Sequence, residues 1–193
     1  MVNFARAISE RGIDVVTFNF LYIERHRRLP DRPPVLEACY RAVIEAVHER
    51  VEGARHALFI GGKSMGGRIG TQVVAADGRL PVAGLVLLGY PLHPPGRPGE
   101  RRDAHLPSVK RPMLFIQGSR DAFGAPAELS PIVATLDPPS TLHVVERGDH
   151  SFKLPGGNRA PTQAAVYEEI QRTIAAWIEA ISGRSAPEPH RSG

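Results

Sequence analysis

The chain has 193 residues, 42% hydrophobic and 23% charged, an ordinary globular mix that argues against a disordered chain. Its 24 Lys and Arg against 20 Asp and Glu leave a net charge of +4, and the densest basic runs, Arg25-His26-Arg27-Arg28 and Arg101-Arg102, carry neither the interleaved aromatics nor the motif of a nucleic-acid binder. The single cysteine, Cys39, rules out an internal disulfide, no apolar run reaches membrane-spanning length, and the opening residues do not read as a secretory leader, so a cytoplasmic location is expected.

Val2 to Arg11 reads as a helix, with Phe4 and Ile8 on one face and Gly12 placed to end it. Val15 to Phe20 (VVTFNF) is β-branched and aromatic and reads as a strand. Leu21 to Pro34 is an Arg- and Pro-rich loop, and helical periodicity returns from Val35 to Val51, with Gly53 as the stop. His56 to Ile60 is a short apolar strand running into Gly61-Gly62, followed by a small-residue helix from Gly67 to Ala76. Val82 to Leu88 is a strand of the fully buried type, and Tyr90 to Pro112 is a long loop crowded with Pro, Gly and Arg. Met113 to Gln117 and Thr141 to Val145 read as strands, with a short helix from Pro126 to Leu136 between them. Thr162 to Ile181 is a long amphipathic helix, and Ser182 to Gly193 is a polar tail expected to be disordered. Strands alternate with helices, and several strands are continuous apolar runs. The expected fold class is therefore α/β: one domain over residues 1–181, with a mostly parallel sheet covered by helices on both faces.

Gly62-Lys63-Ser64-Met65-Gly66 is a G-x-S-x-G pattern set between an apolar strand and a helix. That context is what a nucleophile elbow requires. The turn holds its serine in a strained backbone conformation, with Gly62 and Gly66 expected to lack side chains because strand and helix crowd together there. Ser64 then stands above the sheet's C-terminal edge at a helix N-terminus, and the Met65 N–H points at a developing oxyanion. A phosphate-binding loop is the rival reading of Gly62-Lys63-Ser64. It needs a glycine five positions before Gly62, where Ala57 stands.

A serine hydroxyl needs a base to remove its proton. In a strand–elbow–helix arrangement of this kind the chain order is serine, acid, histidine. Asp121 leaves the strand MLFIQ at its C-terminal end in the run Gly118-Ser119-Arg120-Asp121, and its expected role is to hold one tautomer of the base. His150 follows the strand LHVV in a loop before the last helix, which makes it the expected base. Asp149 is ranked below Asp121 because adjacent residues rarely point the right way. His48 and His143 read as structural, while His93 and His105 lie in the long loop within possible reach of a substrate. No histidine pair has zinc-ligand spacing, so neither a metal nor another cofactor is expected.

GGKSMGGR, LFIQGSRDAFG and GDHSF together resemble the small α/β-hydrolases of the dienelactone-hydrolase-like class. Within that class the chain is similar to a bacterial branch that shares its domain with a non-catalytic subunit of a histone acetyltransferase complex in animals. The resemblance runs from about Asn3 to the final helix and implies Ser64, Asp121 and His150 as nucleophile, acid and base. It also implies that the segment Phe18 to Tyr22 lies near the site, with Phe20 and Tyr22 as candidate substrate contacts; Tyr90, at the head of the long loop, is a third. Dienelactone hydrolases proper use a cysteine nucleophile, so the serine here does not carry over their specific activity. The superfamily also has a strand before the first helix and a His-Gly-rich loop that supplies a second oxyanion donor. No residue here matches that loop, so the N-terminal strand is expected to be missing. Either the start lies too far downstream, or the oxyanion hole is short of a donor worth about two to three orders of magnitude in rate.

These readings lead to a serine esterase-type hydrolase of a small-molecule substrate, with no nucleic-acid or membrane partner. The alternative is an α/β-hydrolase-fold interaction module that has kept the architecture without the chemistry.

Overall fold

Four short strands pair side by side into one parallel sheet whose spatial order is the chain order. The computed structural model describes residues 2–156 and 161–183. Helices α1 (Val2–Ser9), α2 (Leu21–Glu24), α3 (Pro33–Arg50) and α4 (Glu52–His56) lead into strand β1 (Phe59–Lys63). Helix α5 (Met65–Ala76) and strand β2 (Gly84–Leu88) follow, then strand β3 (Met113–Gly118), helix α6 (Pro126–Val133), strand β4 (Thr141–Val145) and helix α7 (Gln163–Ser182). No described helix is long and apolar enough to cross a membrane.

The continuous apolar runs are explained by burial on two faces. Leu85 and Leu87 of β2 and Met113 and Phe115 of β3 join the core with Leu36, Tyr40 and Ile44 of α3, Ile69 and Val73 of α5 and Leu129 of α6. The alternate residues, Leu88, Leu114 and Ile116, pack on the opposite face against Val166, Ile170 and Ile174 of α7, with Phe4 and Ile8 of α1 alongside. Side chains on a strand point to opposite faces in turn, so a strand covered on both sides must be apolar throughout. Each such side chain contributes about 1.5–3 kcal/mol on leaving water. This α/β architecture, with helices on both faces of a parallel sheet, is the one expected.

Several boundaries move, each for a local reason. The strand expected at His56–Ile60 lies at Phe59–Lys63, because Gly61 and Gly62 pair with Val86 and Leu87 although they carry no apolar side chain to signal it. His56 instead closes α4. Helix α3 starts earlier than expected, at Pro33; proline suits a first turn, where its missing N–H has no intrahelical acceptor. Thr162 caps α7 by accepting the Ala165 N–H at 3.2 Å. The last helix runs through Ser182, and residues 184–193 of the expected polar tail lie outside the described residues.

The strand expected at Val15–Phe20 is not formed. The segment is extended, but its backbone joins no ladder among the described residues, and Val15 and Val16 are exposed. β-branched residues favour extended backbone, but a strand needs a neighbour with which to exchange hydrogen bonds, and β1 pairs with β2 alone. Phe18 and Phe20 anchor the segment instead by edge-on and tilted contacts with Tyr40 of α3, at ring-centroid distances of 5.1 and 6.1 Å. Between the segment and α3 lies an apolar groove of about 560 Å³ walled by Val16, Phe18, Cys39, Val43 and Val47.

The long loop after β2 is tied down by its own polar groups. The Tyr90 hydroxyl donates to the Arg102 carbonyl at 2.6 Å. Thr71 donates its hydroxyl to the Arg68 carbonyl, so at 2.8 Å its oxygen accepts from the His105 Nε2–H. His93, buried, reaches the Pro94 carbonyl and the Glu128 carboxylate. Burial, reinforced by the Arg68 charge, pushes His105 from its ordinary 6.5 down to about 4. Unfolded His105 takes up its proton at a higher pH than folded His105, so its contribution is fully present above pH 6.5 and is lost as pH falls towards 4. After allowance for its partial exposure this is about 1–2 kcal/mol. Urea unfolding between pH 7 and 4 is expected to show that loss, and His105→Gln to show a flatter pH dependence over the same window.

Candidate active site

The site lies at the C-terminal ends of the parallel strands, where consecutive loops converge. Ser64 follows β1 directly, with φ +52° and ψ −120°, outside the regions open to ordinary side chains without strain. Its N–H donates to the Leu88 carbonyl at 2.8 Å, which locks the turn to the neighbouring strand. A Cβ on Gly62 would lie 2.8 Å from the backbone of Gly66 and Gly67, so the turn closes only around a glycine there. Gly66 does not behave as expected, because a Cβ there would meet nothing within 4 Å. The crowded partner is Gly67, whose added Cβ would lie 2.7 Å from the Gly62 carbonyl. Helix α5 opens at Met65, two residues earlier than expected, so the Met65 N–H belongs to the first turn and has no intrahelical acceptor.

Asp121 leaves β3 and turns inward, only 4% exposed. Its Oδ1 accepts the Phe123 N–H at 2.8 Å, and its Oδ2 accepts a Gln117 Nε2–H at 2.8 Å. His150, in the loop after β4, bridges the two ends. Its Nδ1 is 2.8 Å from Asp121 Oδ2, and its Nε2 is 2.8 Å from Ser64 Oγ. A carboxylate only accepts, so the ring proton sits on Nδ1 and Nε2 is left to accept from the serine hydroxyl. The Phe123 ring lies against the imidazole, 4.2 Å between centroids and tilted by 31°. Gly89, at φ +63°, leaves the room the ring occupies; a Cβ there would stand 2.9 Å from the His150 carbonyl and 3.3 Å from the ring. Three residues separated by up to 86 positions thus form one hydrogen-bonded line from a buried carboxylate to a half-exposed hydroxyl. Chemically, such a line can draw a proton off the hydroxyl and hold the resulting imidazolium.

A sequence model of the alpha/beta hydrolase domain family matches residues 1–179. The chain belongs to that family. This α/β-hydrolase domain also shares its fold with solved structures. An alpha-beta serine hydrolase homologue from Coxiella burnetii superposes with a TM-score of 0.67 at 19% identity, covering 91% of this chain and 74% of that one. Dienelactone hydrolase from Anabaena variabilis superposes at 0.65 with 20% identity, covering 93% and 77% respectively. An a/b serine hydrolase without a lid from Xanthomonas campestris superposes at 0.61 with 22% identity, covering 96% and 74%.

The remaining candidates in this α/β-hydrolase domain are placed as follows. Phe20 is 8% exposed and stacks beside half-buried Tyr22, and both belong to the apolar core that α3 and α5 form on one face of the sheet. Tyr90 is 1% exposed, with its ring on Phe115 and its hydroxyl spent on Arg102, so its side chain braces the loop and presents no surface to a ligand. Asp149 faces its own turn, accepting the Ser151 and Lys153 N–H groups at 2.7 and 2.9 Å. Gln117 and Phe123 escaped the sequence reading. Gln117 carried a signal, a lone amide ending a wholly apolar strand. It is fully buried and accepts the Tyr90 N–H while its own amide donates to Asp121 and the Gly124 carbonyl. Phe123 carried no signal, since an aromatic two residues after an aspartate marks nothing by itself.

Proposed function

We propose that this α/β-hydrolase domain is a serine hydrolase acting on an ester or related acyl substrate through an acyl-enzyme. The observation that carries this reading is the pair of 2.8 Å contacts of His150, one to Ser64 and one to Asp121. In the proposed cycle His150 Nε2 takes the Ser64 proton as Oγ bonds to the carbonyl carbon. The carbonyl electron pair moves onto oxygen, which faces the Met65 N–H at the start of α5. The tetrahedral species collapses, the carbonyl re-forms, and the leaving alkoxide departs with the proton from His150. Water then repeats the sequence, giving its proton to Nε2, bonding to the acyl carbon and releasing the acid and the free Ser64 hydroxyl. Asp121 remains ionised and holds the ring. Half-buried Tyr22, stacked on buried Phe20, is the proposed apolar wall on the substrate side, a place that rests on the family resemblance of the Phe18–Tyr22 segment.

A fluorophosphonate probe tests the reading, because it bonds covalently to an activated serine and to no ordinary one. Wild type is expected to be labelled on the peptide containing Ser64, and Ser64→Ala to be unlabelled, as read by mass spectrometry. A folded wild-type protein that stays unlabelled overturns the reading in favour of an interaction module.

A further inference from the structure

Lys63 occupies the variable position before the nucleophile, and its side chain crosses to the histidine loop. Its ammonium donates to Ser151 Oγ at 2.7 Å, across 88 residues of sequence. Ser151 directly follows His150, and its N–H is held at 2.7 Å by Asp149, directly before His150. Asp149 Oδ1 also accepts the Lys153 N–H at 2.9 Å. Burial alone would raise the Asp149 carboxyl. The Lys153 and Ser151 N–H groups, with the Lys153 and Lys63 charges, outweigh it and hold the group below the usual carboxylate range. Lys63 therefore meets a charged, pre-formed turn that brackets the imidazole on both sides.

The need for such a contact follows from the sheet. β4, which carries the His150 loop, and β1, which carries Ser64, are separated by two strands. The loop is well fastened to the β3 side, by Arg120 N–H to the Gly148 carbonyl, Ser119 N–H to the Val145 carbonyl and Arg147 N–H to Ser119 Oγ. On the β1 side, among the described residues, the Lys63–Ser151 bond is the only hydrogen bond besides that of His150 to Ser64 itself. The reactive pair cannot serve as its own brace, because its bond is broken and remade in each cycle.

We propose that Lys63 is a positioning residue that, through Ser151 and Asp149, fixes the distance between His150 and Ser64 while their own hydrogen bond turns over. The inference rests on the hydrolase reading above. It does not make Ser151 a second nucleophile, since an ammonium that donates to the Ser151 hydroxyl has no lone pair with which to take its proton. A brace of this kind acts on orientation and so on the chemical step. A misplacement of about 1 Å costs on the order of 100-fold in rate.

The test uses Lys63→Met, Ser151→Ala, their double variant and Lys63→Arg in the full chain. Steady-state kinetics on a chromogenic short-chain ester are read beside the rate of fluorophosphonate labelling. Each single variant is expected to lose roughly 10- to 100-fold in kcat and in labelling rate with little change in KM. The double variant should be no worse than the singles, as for two residues serving one bond. Lys63→Arg, which keeps a charged donor, should recover most of the loss. Amide hydrogen exchange gives a readout independent of turnover: exchange at Ser151 and Lys153 should quicken in Lys63→Met while β3 is unchanged. Unlabelled wild type with quickened exchange would leave the brace standing and sink the hydrolase reading. Labelled wild type with neither labelling nor exchange altered by Lys63→Met would sink the brace alone. Losses that multiply in the double variant, or that appear only as lowered thermal stability, would also overturn it.

Discussion

Ser64→Ala and His150→Ala are each expected to lower kcat by about five to six orders of magnitude, and the double variant to be no slower than either alone. The hydroxyl and the imidazole share one proton across 2.8 Å, so removing either removes the same event. A hydroxyl without its base attacks poorly, and a base without its hydroxyl has nothing to activate. Residual hydrolysis would come from binding and from the Met65 N–H. Steady-state rates on a short-chain ester check this, with each variant first shown to be folded by circular dichroism. Losses that sum across the two sites would mean that the residues do not act as a unit. His150→Ala should also weaken fluorophosphonate labelling by a comparable factor, because that reaction needs the same proton removed.

Asp121→Asn should cost about four orders of magnitude in kcat with little change in KM. Asp121 accepts from three donors, the Phe123 N–H on one oxygen and Gln117 and His150 on the other. An asparagine that keeps its oxygen towards Phe123 turns an N–H₂ towards two groups that are themselves donors. The imidazole escapes by moving its proton to Nε2, which then faces Ser64 as a donor and cannot accept the hydroxyl proton. The reactive atoms stay in place while the direction of transfer reverses. The buried Gln117 amide, whose oxygen is held by the Tyr90 N–H, is left facing a donor, so a loss of about 1–3 kcal/mol in stability accompanies the change. The pH–rate profile, read below the lowered melting temperature, separates the two effects, since a wrong tautomer lowers the plateau at every pH in protein that is still folded.

The parallel sheet was legible because β2 and β3 are buried on both faces, leaving continuous apolar runs that few other arrangements produce. Ser64, Asp121 and His150 were legible together because each leaves the end of a strand, in the order serine, acid, histidine. What escaped depended on space rather than on composition. Val15–Phe20 has the residues of a strand, but a ladder is a property of two segments, and none of the described strands lies beside it. Gly66 and Gly67 are indistinguishable by eye, and only the approach of the Gly62 carbonyl shows which of them is crowded. Tyr90 looked available because loops usually are, yet its loop folds back and buries it. Lys63 reads as an arbitrary residue inside a motif until Ser151 is found beside it.

The positive φ at Ser64 sets the most reactive and the most stable sequences of this elbow against each other. A glycine at that position would relieve strain on the order of 1–3 kcal/mol while abolishing the hydroxyl. On the proposed function, a demand for bond cleavage is what retains an alcohol on a bend that prefers no side chain, and in a lineage released from that demand this position would be free to change while the surrounding layers endured.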